Sequence, residues 1–460
     1  MPENHLTALQ ARIAGVQTLR HVGRIAAVQG ASVRVSGLSA VAAVGDLIEI
    51  ERRIGGHLVG EVLQLDRQDV IAMPDGAVDG ISLGDRVRLR PAVDIAPCED
   101  WIGRVVDPCG QPLDGRALAC GPVSRRLQAA PPPPAWRRGF GPRLETGMAA
   151  FNTFLPIVRG QRMGIFAGSG VGKSSLLASL GCNMQADVVV FALIGERGRE
   201  LRDFVESGLG EAGLSRSVVV AATSDQSPLT RRRCAWTAMT VAEHFRDAGK
   251  QVLLMVDSIT RFAEAHREVC VAAGELPALR GFPATTGHQI MSLCERAGPG
   301  HGSAGDITAL FSVLVAGSDM EEPVADILRG VLDGHVVLDR QIAERGRYPA
   351  IDLLRSVSRS LPGAASAEEN RLIGSARSMM GAYARSETMV RAGLYKDGSD
   401  PQLDEALRAW PELDAFLTES ETVSAKNSFD RLALILRRAG QGRKPAEAGQ
   451  VPAGRSGRAA

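Results

Sequence analysis

Residues 163–174 read MGIFAGSGVGKS, an apolar run of strand length followed by a glycine-rich loop and a lysine–serine pair. A loop that wraps phosphates needs glycines so that backbone N–H groups can turn inward, a lysine for the terminal phosphates and a hydroxyl for magnesium. The helical pattern KSSLLASLGCNM follows at once, and a helix N-terminus favours an anion there. The stretch therefore predicts a strand–loop–helix unit that binds a nucleoside triphosphate.

The candidate nucleotide-binding residues form one unbroken run: Gly168, Ser169, Gly170, Val171, Gly172, Lys173, Ser174 and Ser175. Lys173 would reach the terminal phosphates, and Ser174 would present its hydroxyl to Mg²⁺. The strict pattern GxxxxGK[ST] requires glycine at position 167, where this chain has alanine. The position of the loop between a strand and a helix nevertheless argues against a chance glycine-rich turn.

Further apolar runs of strand length follow the loop, at 188–194, 217–223, 252–258, 307–317 and 335–339. Longer helical patterns separate them. Continuous rather than alternating apolarity indicates strands buried on both faces, as in a parallel sheet covered by helices. The region 145–365 is therefore predicted to be an α/β domain with a mostly parallel sheet.

Two carboxylates lie at the carboxyl ends of predicted strands, the edge where ligands bind in such sheets. Asp257 ends the strand VLLMV and suits the magnesium side of a phosphate site. Glu196 follows VVVFALI in the sequence GERGRE and could polarise a water for attack on the γ-phosphate. A solvated loop glutamate is the plain alternative, and the GER context favours the catalytic role.

The rest of the chain divides by composition. Residues 1–20 show the spacing of an amphipathic helix, which would pack on its own domain or dock to a partner. Residues 21–95 read as short strands of a β-barrel without Phe, Tyr or Trp, so base stacking on this barrel is not expected. Residues 96–144, with Pro131–Pro134, read as a connector; residues 366–440 as a helical domain; and residues 441–460 as a disordered tail.

The composition excludes several classes of protein. Lys and Arg number 53 against 52 Asp and Glu, a net charge of +1 that gives no global attraction to nucleic acid. No run approaches the length of a membrane-spanning helix. Seven cysteines form no CxxC pair and no zinc spacing, which fits a reducing cytoplasm. We expect a soluble protein that is not exported.

Four stretches resemble the catalytic ATPases of type III protein export, and in wording the flagellum-specific branch. They are GIFAGSGVGKSSLL, LIGERGREL, the run from TSDQSPLTRRR to DSITRFAEAHRE, and LDGHVVLDRQIAERGRYPAIDLLRSVSR. The family is related to the catalytic subunit of rotary ATP synthase, and alanine at position 167 is usual in its export branch. The resemblance implies a RecA-like central domain, hydrolysis of ATP with Mg²⁺, and transport of proteins.

The resemblance also assigns roles to single residues. Lys173 matches the phosphate lysine, Glu196 the catalytic base, and Arg197 a contact to the γ-phosphate. Asp257, together with Ser174, matches the magnesium side of the site.

Two further assignments rest on the resemblance alone. Tyr348, in RYPAID, matches the aromatic residue that stacks on adenine, and Arg359, in SVSR, matches the arginine that reaches into a neighbouring subunit's site. Read without the resemblance, Tyr348 would be a core tyrosine and Arg359 a cation at the end of an element. An arginine supplied in trans implies a ring of six subunits with sites at the interfaces.

The resemblance further implies partners and a location. The expected partners are a stator-like regulator at the N-terminal helix, a central stalk-like coiled-coil protein, an export gate membrane protein, and export chaperones with their substrates, but no nucleic acid. The expected location is the cytoplasmic, inner face of the bacterial inner membrane.

Four alternatives remain open. A virulence-type injectisome ATPase shares every motif quoted, although LVAGSDMEEPVADILRGVLDGHVVLDR favours the flagellar branch. A non-catalytic ring subunit would lack the carboxylate Glu196. A ring helicase on RNA is disfavoured by the aromatic-free barrel and the neutral charge. The rotary ATP synthase subunit itself is disfavoured by the SGVGKS and LYKDGSDPQLDEA wording.

Overall fold

The computed structural model describes residues 20–315 and 320–440, except for the side chain of residue 279. The predicted N-terminal helix within residues 1–20 and the predicted tail at 441–460 lie outside this part, apart from residue 20. In the part described, no helix combines the length and apolarity needed to cross a membrane.

The first unit is a closed antiparallel barrel. Its strands are β1 (Val22–Gln29), β2 (Ser32–Ser36), β3 (Leu47–Glu51), β4 (His57–Leu65), β5 (Asp69–Pro74) and β6 (Arg86–Arg90). They pair in the order β1-β2-β5-β4-β3-β6. Burial alternates along β2 and β3, because every second side chain points inward. The inward residues, such as Val33 and Ile48, form a small apolar core of their own.

The central unit is an eight-stranded sheet. Its strands are β8 (Arg104–Val106), β11 (Arg162–Ala167), β12 (Val188–Glu196), β13 (Ser217–Thr223), β14 (Val252–Asp257), β15 (Ile307–Leu314), β16 (Gly334–Leu338) and β17 (Ile351–Ser358). The order is β17-β16-β11-β15-β14-β12-β13-β8. Only β17 runs antiparallel to its neighbour. The predicted fold class, with a barrel, a mostly parallel sheet and C-terminal helices, is confirmed.

Helices cover both faces of this sheet. They are α1 (Ala149–Thr153), α2 (Lys173–Asn183), α3 (Gly198–Asp203), a π-helical turn (Phe204–Leu209), α4 (Gly210–Leu214), α5 (Pro228–Asp247), α6 (Ile259–Ala272), α7 (Thr285–Arg296), α8 (Pro323–Val331) and α9 (Arg340–Glu344). Single 3₁₀ turns lie at Glu99–Trp101, Pro134–Trp136 and Leu279–Gly281. Two large apolar cores, one on each face, hold the layers together.

The segment 96–144 differs from its interpretation as a connector, because residues 104–106 form the edge strand β8 beside β13. This strand has only three residues, too few for the sequence to show a periodic pattern of apolar side chains. Arg104 is held there by two hydrogen bonds from its guanidinium to Asp114, at 2.6 and 2.7 Å. This pairing lowers the pKa of Asp114 well below its ordinary value. The short pairs β7 (Asp94–Ile95) with β9 (Arg125–Arg126) and β10 (Gly147–Met148) with β18 (Ser420–Glu421) complete the strands described.

The last unit is helical and consists of α10 (Ala367–Arg391), α11 (Pro401–Phe416) and α12 (Ala425–Gly440). A capping box starts α10, since Ser366 and Glu369 each satisfy the other's backbone N–H. Phe416 and Leu432 belong to the same apolar core as the buried residues of α2, the helix that follows the phosphate-binding loop. The helical unit is thus fixed directly against the nucleotide-binding domain.

Candidate active site

The phosphate-binding loop lies where the sequence places it, between β11 and α2. Gly170 and Gly172 have φ values of +77° and +85°, a conformation that side chains disfavour. Ala167, in contrast, is the last residue of a regular strand, paired with Leu314 and Leu338 on either side. A methyl group is therefore tolerated at the position where the strict motif has glycine.

A cavity of about 650 Å³ opens in front of this loop. Its walls combine the loop with the ends of the neighbouring strands, and the lining residues are Gly168, Ser169, Gly170, Gly172, Lys173, Ser174, Ser175, Gly195, Glu196, Arg197, Glu200, Ser224, Arg231, Arg261 and Leu314. Most of the predicted nucleotide-binding residues therefore share one cavity. Val171 is the exception in the loop, because its side chain is buried in the apolar core.

Lys173 and Asp257 form a buried ion pair at the back of the site. The Lys173 ammonium donates to Oδ1 of Asp257, and the two residues are 8% and 2% exposed. The Ser312 hydroxyl donates to the same oxygen at 2.7 Å. The lysine that the motif assigns to phosphate is thus paired with the carboxylate at the end of β14, two strands away from β11 in the sheet.

Glu196 projects from the end of β12 toward the same cavity. A bulge opposite β13, with Gly195 at φ +68°, ends the regular pairing just before it and turns the carboxylate into the site. Burial, and secondly the charge of Asp257, raises the pKa of Glu196 from 4.5 to about 7, although Lys173 acts in the opposite direction. A carboxyl group that titrates near neutrality suits a general base.

Arg197 lies at the rim of the cavity rather than inside it. Its side chain is 79% exposed and donates to Glu200 at 2.5 Å. This hydrogen bond is the main cause of the lowered pKa of Glu200. A contact from Arg197 to a bound phosphate would require its guanidinium to swing away from Glu200.

Tyr348 lies beside the phosphate-binding loop, because its ring atoms would be only 3.1–3.3 Å from a β-carbon placed at Gly172. The residue is 52% exposed. The alternative of a core tyrosine does not fit this exposure. Position and exposure suit an aromatic side chain that stacks on a base.

Arg359 is the one predicted site residue that lies far from the loop. It follows β17, whose last residue Ser358 pairs with Gly334 at the amino end of β16, whereas Ile351 pairs with Leu338 at the carboxyl end. The five residues of β16 span roughly 13 Å, so Arg359 lies at the opposite edge of the sheet from Lys173. Arg359 is exposed and donates to the carbonyl of Arg329 at 3.1 Å.

The residues around Ser174 suit a divalent cation. An adjoining cavity of about 430 Å³ is lined by Ser174, Glu196 and Asp257, which carry a hydroxyl and two carboxylates. Such hard oxygen donors are the ligands that Mg²⁺ prefers. Within the described residues, no cluster of three or more His, Cys, Asp or Glu could hold a metal. A cation here would therefore take most of its ligands from a bound phosphate and water.

Three charged residues of the cavity were not among the predicted site residues: Glu200, Arg231 and Arg261. Arg261 lies in the first turn of α6, four residues after Asp257 in the quoted motif DSITR, so a signal for it was present. Arg231 donates to Glu268 and is brought to the cavity by the start of α5. Only the packing of α5 and α6 reveals that position.

Comparison with models of known protein families identifies two domains in this chain. Residues 147–358 match the model of the ATP synthase alpha/beta family nucleotide-binding domain. Residues 365–433 match the model of the type III secretion EscN ATPase C-terminal domain. The two models cover the central sheet and the C-terminal helices.

Relatives of similar length share the whole architecture. The "Flagellum-specific ATP synthase" of Caulobacter vibrioides is 45% identical, over 94% of this chain and 99% of the relative. The protein of that name from Salmonella typhimurium is 40% identical, over 94% and 97%. The structure of the assembled ATPase EscN of the enteropathogenic E. coli type III secretion system is 35% identical with a TM-score of 0.82, over 90% of this chain and 100% of that one. This chain therefore belongs to the ATP synthase alpha/beta family, in the branch of flagellum-specific and type III secretion ATPases.

Proposed function

We propose that this protein hydrolyses ATP with Mg²⁺ and so energises type III export of flagellar proteins. The observation that carries the proposal is the convergence of Lys173, Glu196 and Asp257 on two adjoining cavities, both lined by Glu196, at the carboxyl ends of the parallel strands. Lys173 supplies a cation for the phosphates, and Glu196 supplies a base that titrates near neutrality. Asp257 supplies a carboxylate beside Ser174, where the magnesium ion would bind. Family membership supports the same reaction.

Ser174 and Asp257 would hold the ion, through a hydroxyl and a carboxylate oxygen. When bound, Mg²⁺ supplies charge neutralisation at the β- and γ-phosphates. Lys173 then exchanges its ion pair with Asp257 for one with the terminal phosphates. The ammonium charge of Lys173 therefore stays paired with an anion throughout. Glu196 orients a water molecule toward the γ-phosphate and takes up its proton.

We assign the stimulatory arginine to a neighbouring subunit. Arg359 lies at the amino ends of the parallel strands and Lys173 at their carboxyl ends, and an arginine side chain does not span that distance. A head-to-tail contact between two copies would bring the Arg359 edge of one to the loop edge of the next. Repetition of that contact closes a ring, proposed here as a homo-hexamer. The assembled state of EscN, which has the same fold, supports this arrangement.

The further partners are proposed on the family's account. A central stalk-like coiled-coil protein is supported by the structure of EscN "in complex with its central stalk EscO". A stator-like regulator at the N-terminal helix, an export gate membrane protein, and chaperones with their substrates complete the proposal. The enzyme would then work at the inner face of the bacterial inner membrane.

The flagellar system is proposed over the injectisome because the curated relatives of 38–45% identity carry flagellar names. The EscN structures are 35% identical. Deletion of the gene should abolish swimming and secretion of hook protein. Restoration by the intact gene, and not by a Glu196→Gln copy, is expected. Normal motility with loss of needle or effector secretion would point to the injectisome instead.

Steady-state ATP hydrolysis with purified protein tests the enzyme directly. Glu196→Gln should lower kcat by roughly 10²–10⁴-fold, because the amide cannot accept a proton, while ATP binding persists. Glu211→Gln, at an exposed glutamate of α4, is the matched control and should keep wild-type turnover. Full turnover in Glu196→Gln would refute the assignment of the base.

A further inference from the structure

Ser312 carries a buried hydroxyl in the middle of a mostly apolar strand. Its strand, β15 (ITALFSVL), lies between β11, which carries the phosphate-binding loop, and β14, which ends in Asp257. Ser312 pairs with Ile165 of β11, and its neighbour Phe311 pairs with Val256 of β14. Ser312 is therefore level with Asp257 and is 0% exposed.

Among the residues that the structure describes, the Ser312 hydroxyl has one partner, the Asp257 carboxylate, to whose Oδ1 it donates at 2.7 Å. The Lys173 ammonium donates to the same oxygen. No hydrogen bond to Oδ2 of Asp257 occurs within the described residues, so this oxygen is left for the metal side. Two donors thus fix one oxygen of the carboxylate and leave the other available.

Other buried hydroxyls of the sheet serve the backbone instead. Ser356 donates to the carbonyl of Asp352 and accepts from the N–H of Val337. Thr308, on the same strand as Ser312, accepts from the N–H of Gly160. Ser312 differs because, among residues 20–315 and 320–440, its hydroxyl contacts a side chain of the candidate site and no backbone group.

We propose that Ser312 is a positioning residue that holds the Asp257 carboxylate in place when Lys173 moves to the phosphates. The inference rests on the proposed function, in which Lys173 must leave Asp257 during each cycle. From that moment Ser312 is the only described side chain that donates to Oδ1. Without it the carboxylate would be free to rotate, and the oxygen facing the metal side would be misplaced.

The test compares Ser312→Ala with Thr308→Ala, which removes a buried hydroxyl from the same face of the same strand, four residues away. ATP hydrolysis is measured over a range of Mg²⁺ concentrations. Loss of a hydrogen bond to a charged group should lower kcat of Ser312→Ala roughly 10- to 100-fold and raise the half-saturating Mg²⁺ concentration, while the KM for ATP changes little. Thr308→Ala should keep the wild-type Mg²⁺ dependence.

Ser312→Thr and Ser312→Val form a second, isosteric pair that separates the hydroxyl from packing. Threonine should restore most of the activity and valine should not. Equal activity in the two, an unchanged Mg²⁺ dependence in Ser312→Ala, or an equal change in Thr308→Ala would overturn the inference.

Failure of the proposed function would look different, since wild-type protein itself would then show no turnover. In that case Mg²⁺-dependent binding of a fluorescent ATP analogue decides the role of Ser312. Weaker binding in Ser312→Ala than in Thr308→Ala supports it, and equal binding overturns it.

Discussion

Glu196 combines two features at the residue scale that a sequence motif does not contain. The Gly195 bulge turns its side chain into the cavity, and burial beside Asp257 raises its pKa to about 7. Lys173 and Glu200 face it as well. A base with this pKa is largely protonated in mildly acidic solution and largely ionised above neutrality.

This titration predicts the pH profile of the enzyme. Because a base must be deprotonated to act, kcat/KM should rise with pH through about 7 and be about tenfold lower at pH 6 than at pH 8. The profile of kcat/KM reports the free enzyme, to which the pKa applies. The low residual rate of Glu196→Gln should lack this step. A wild-type profile that is flat from pH 5.5 to 8 would contradict the assignment.

At the scale of elements, helix α5 joins the barrel to the active site. Glu61 of β4 accepts from Arg232 at 2.7 Å and from Arg233 at 2.9 Å, and all three side chains are at most 10% exposed. Asp75, at the end of the barrel, accepts from Ser227 and from Thr230 in the first turn of the same helix. The helix that brings Arg231 to the cavity is thereby anchored to the barrel.

Removal of the shared carboxylate should weaken this junction. Glu61→Gln keeps the volume but leaves buried Arg232 without a carboxylate partner and Arg233 with only Asp75, at 3.8 Å. Loss of one partner of a buried ion pair typically costs about 3–5 kcal/mol. The free energy of unfolding, measured by chemical denaturation, should fall by that order. Glu49→Gln on β3, whose carboxylate pairs at 3.7 Å with the more exposed His57, is the control and should change it by less than about 1 kcal/mol. Equal effects would contradict a buried anchor.

At the scale of the whole molecule, the proposed site has two halves, the phosphate-binding loop and Arg359. The loop lies at the carboxyl ends of the parallel strands, and Arg359 lies at their amino ends. In the proposed ring, a subunit would offer its loop to one neighbour and its Arg359 to the other. Loss of a trans arginine typically lowers phosphoryl transfer by 10³–10⁵-fold, so we expect activity to depend on assembly.

Mixing two inactive variants tests this arrangement. Lys173→Ala lacks a working loop and Arg359→Ala lacks the arginine, yet in mixed rings an intact loop can meet an intact arginine. Random pairing would place both at about a quarter of the interfaces, so turnover should approach that fraction of the wild-type rate. A mixture no faster than the two variants measured separately would contradict the trans model. Lys173→Ala mixed with Lys173→Ala/Arg359→Ala serves as the control and should stay inactive.

Local sequence patterns were sufficient to predict those elements whose signal lies within one short stretch of the chain. Continuous apolar runs predicted β11 to β16, because strands covered on both faces have no polar side to interrupt them. The loop motif likewise predicted the phosphate cradle, since glycine conformations and a lysine–serine pair are properties of adjacent residues. Strands β8 and β17 were not predicted. β8 is three residues long, and β17 alternates polar and apolar residues at an edge.

Only the tertiary structure decided which distant residues meet. The contact of Ser312 with Asp257, the entry of Arg231 into the cavity, and the raised pKa of Glu196 all depend on how strands and helices are placed side by side. The separation of Arg359 from the loop follows from the antiparallel direction of β17. Register, crossover and burial act between segments far apart in the chain, so a short stretch of sequence carries no trace of them.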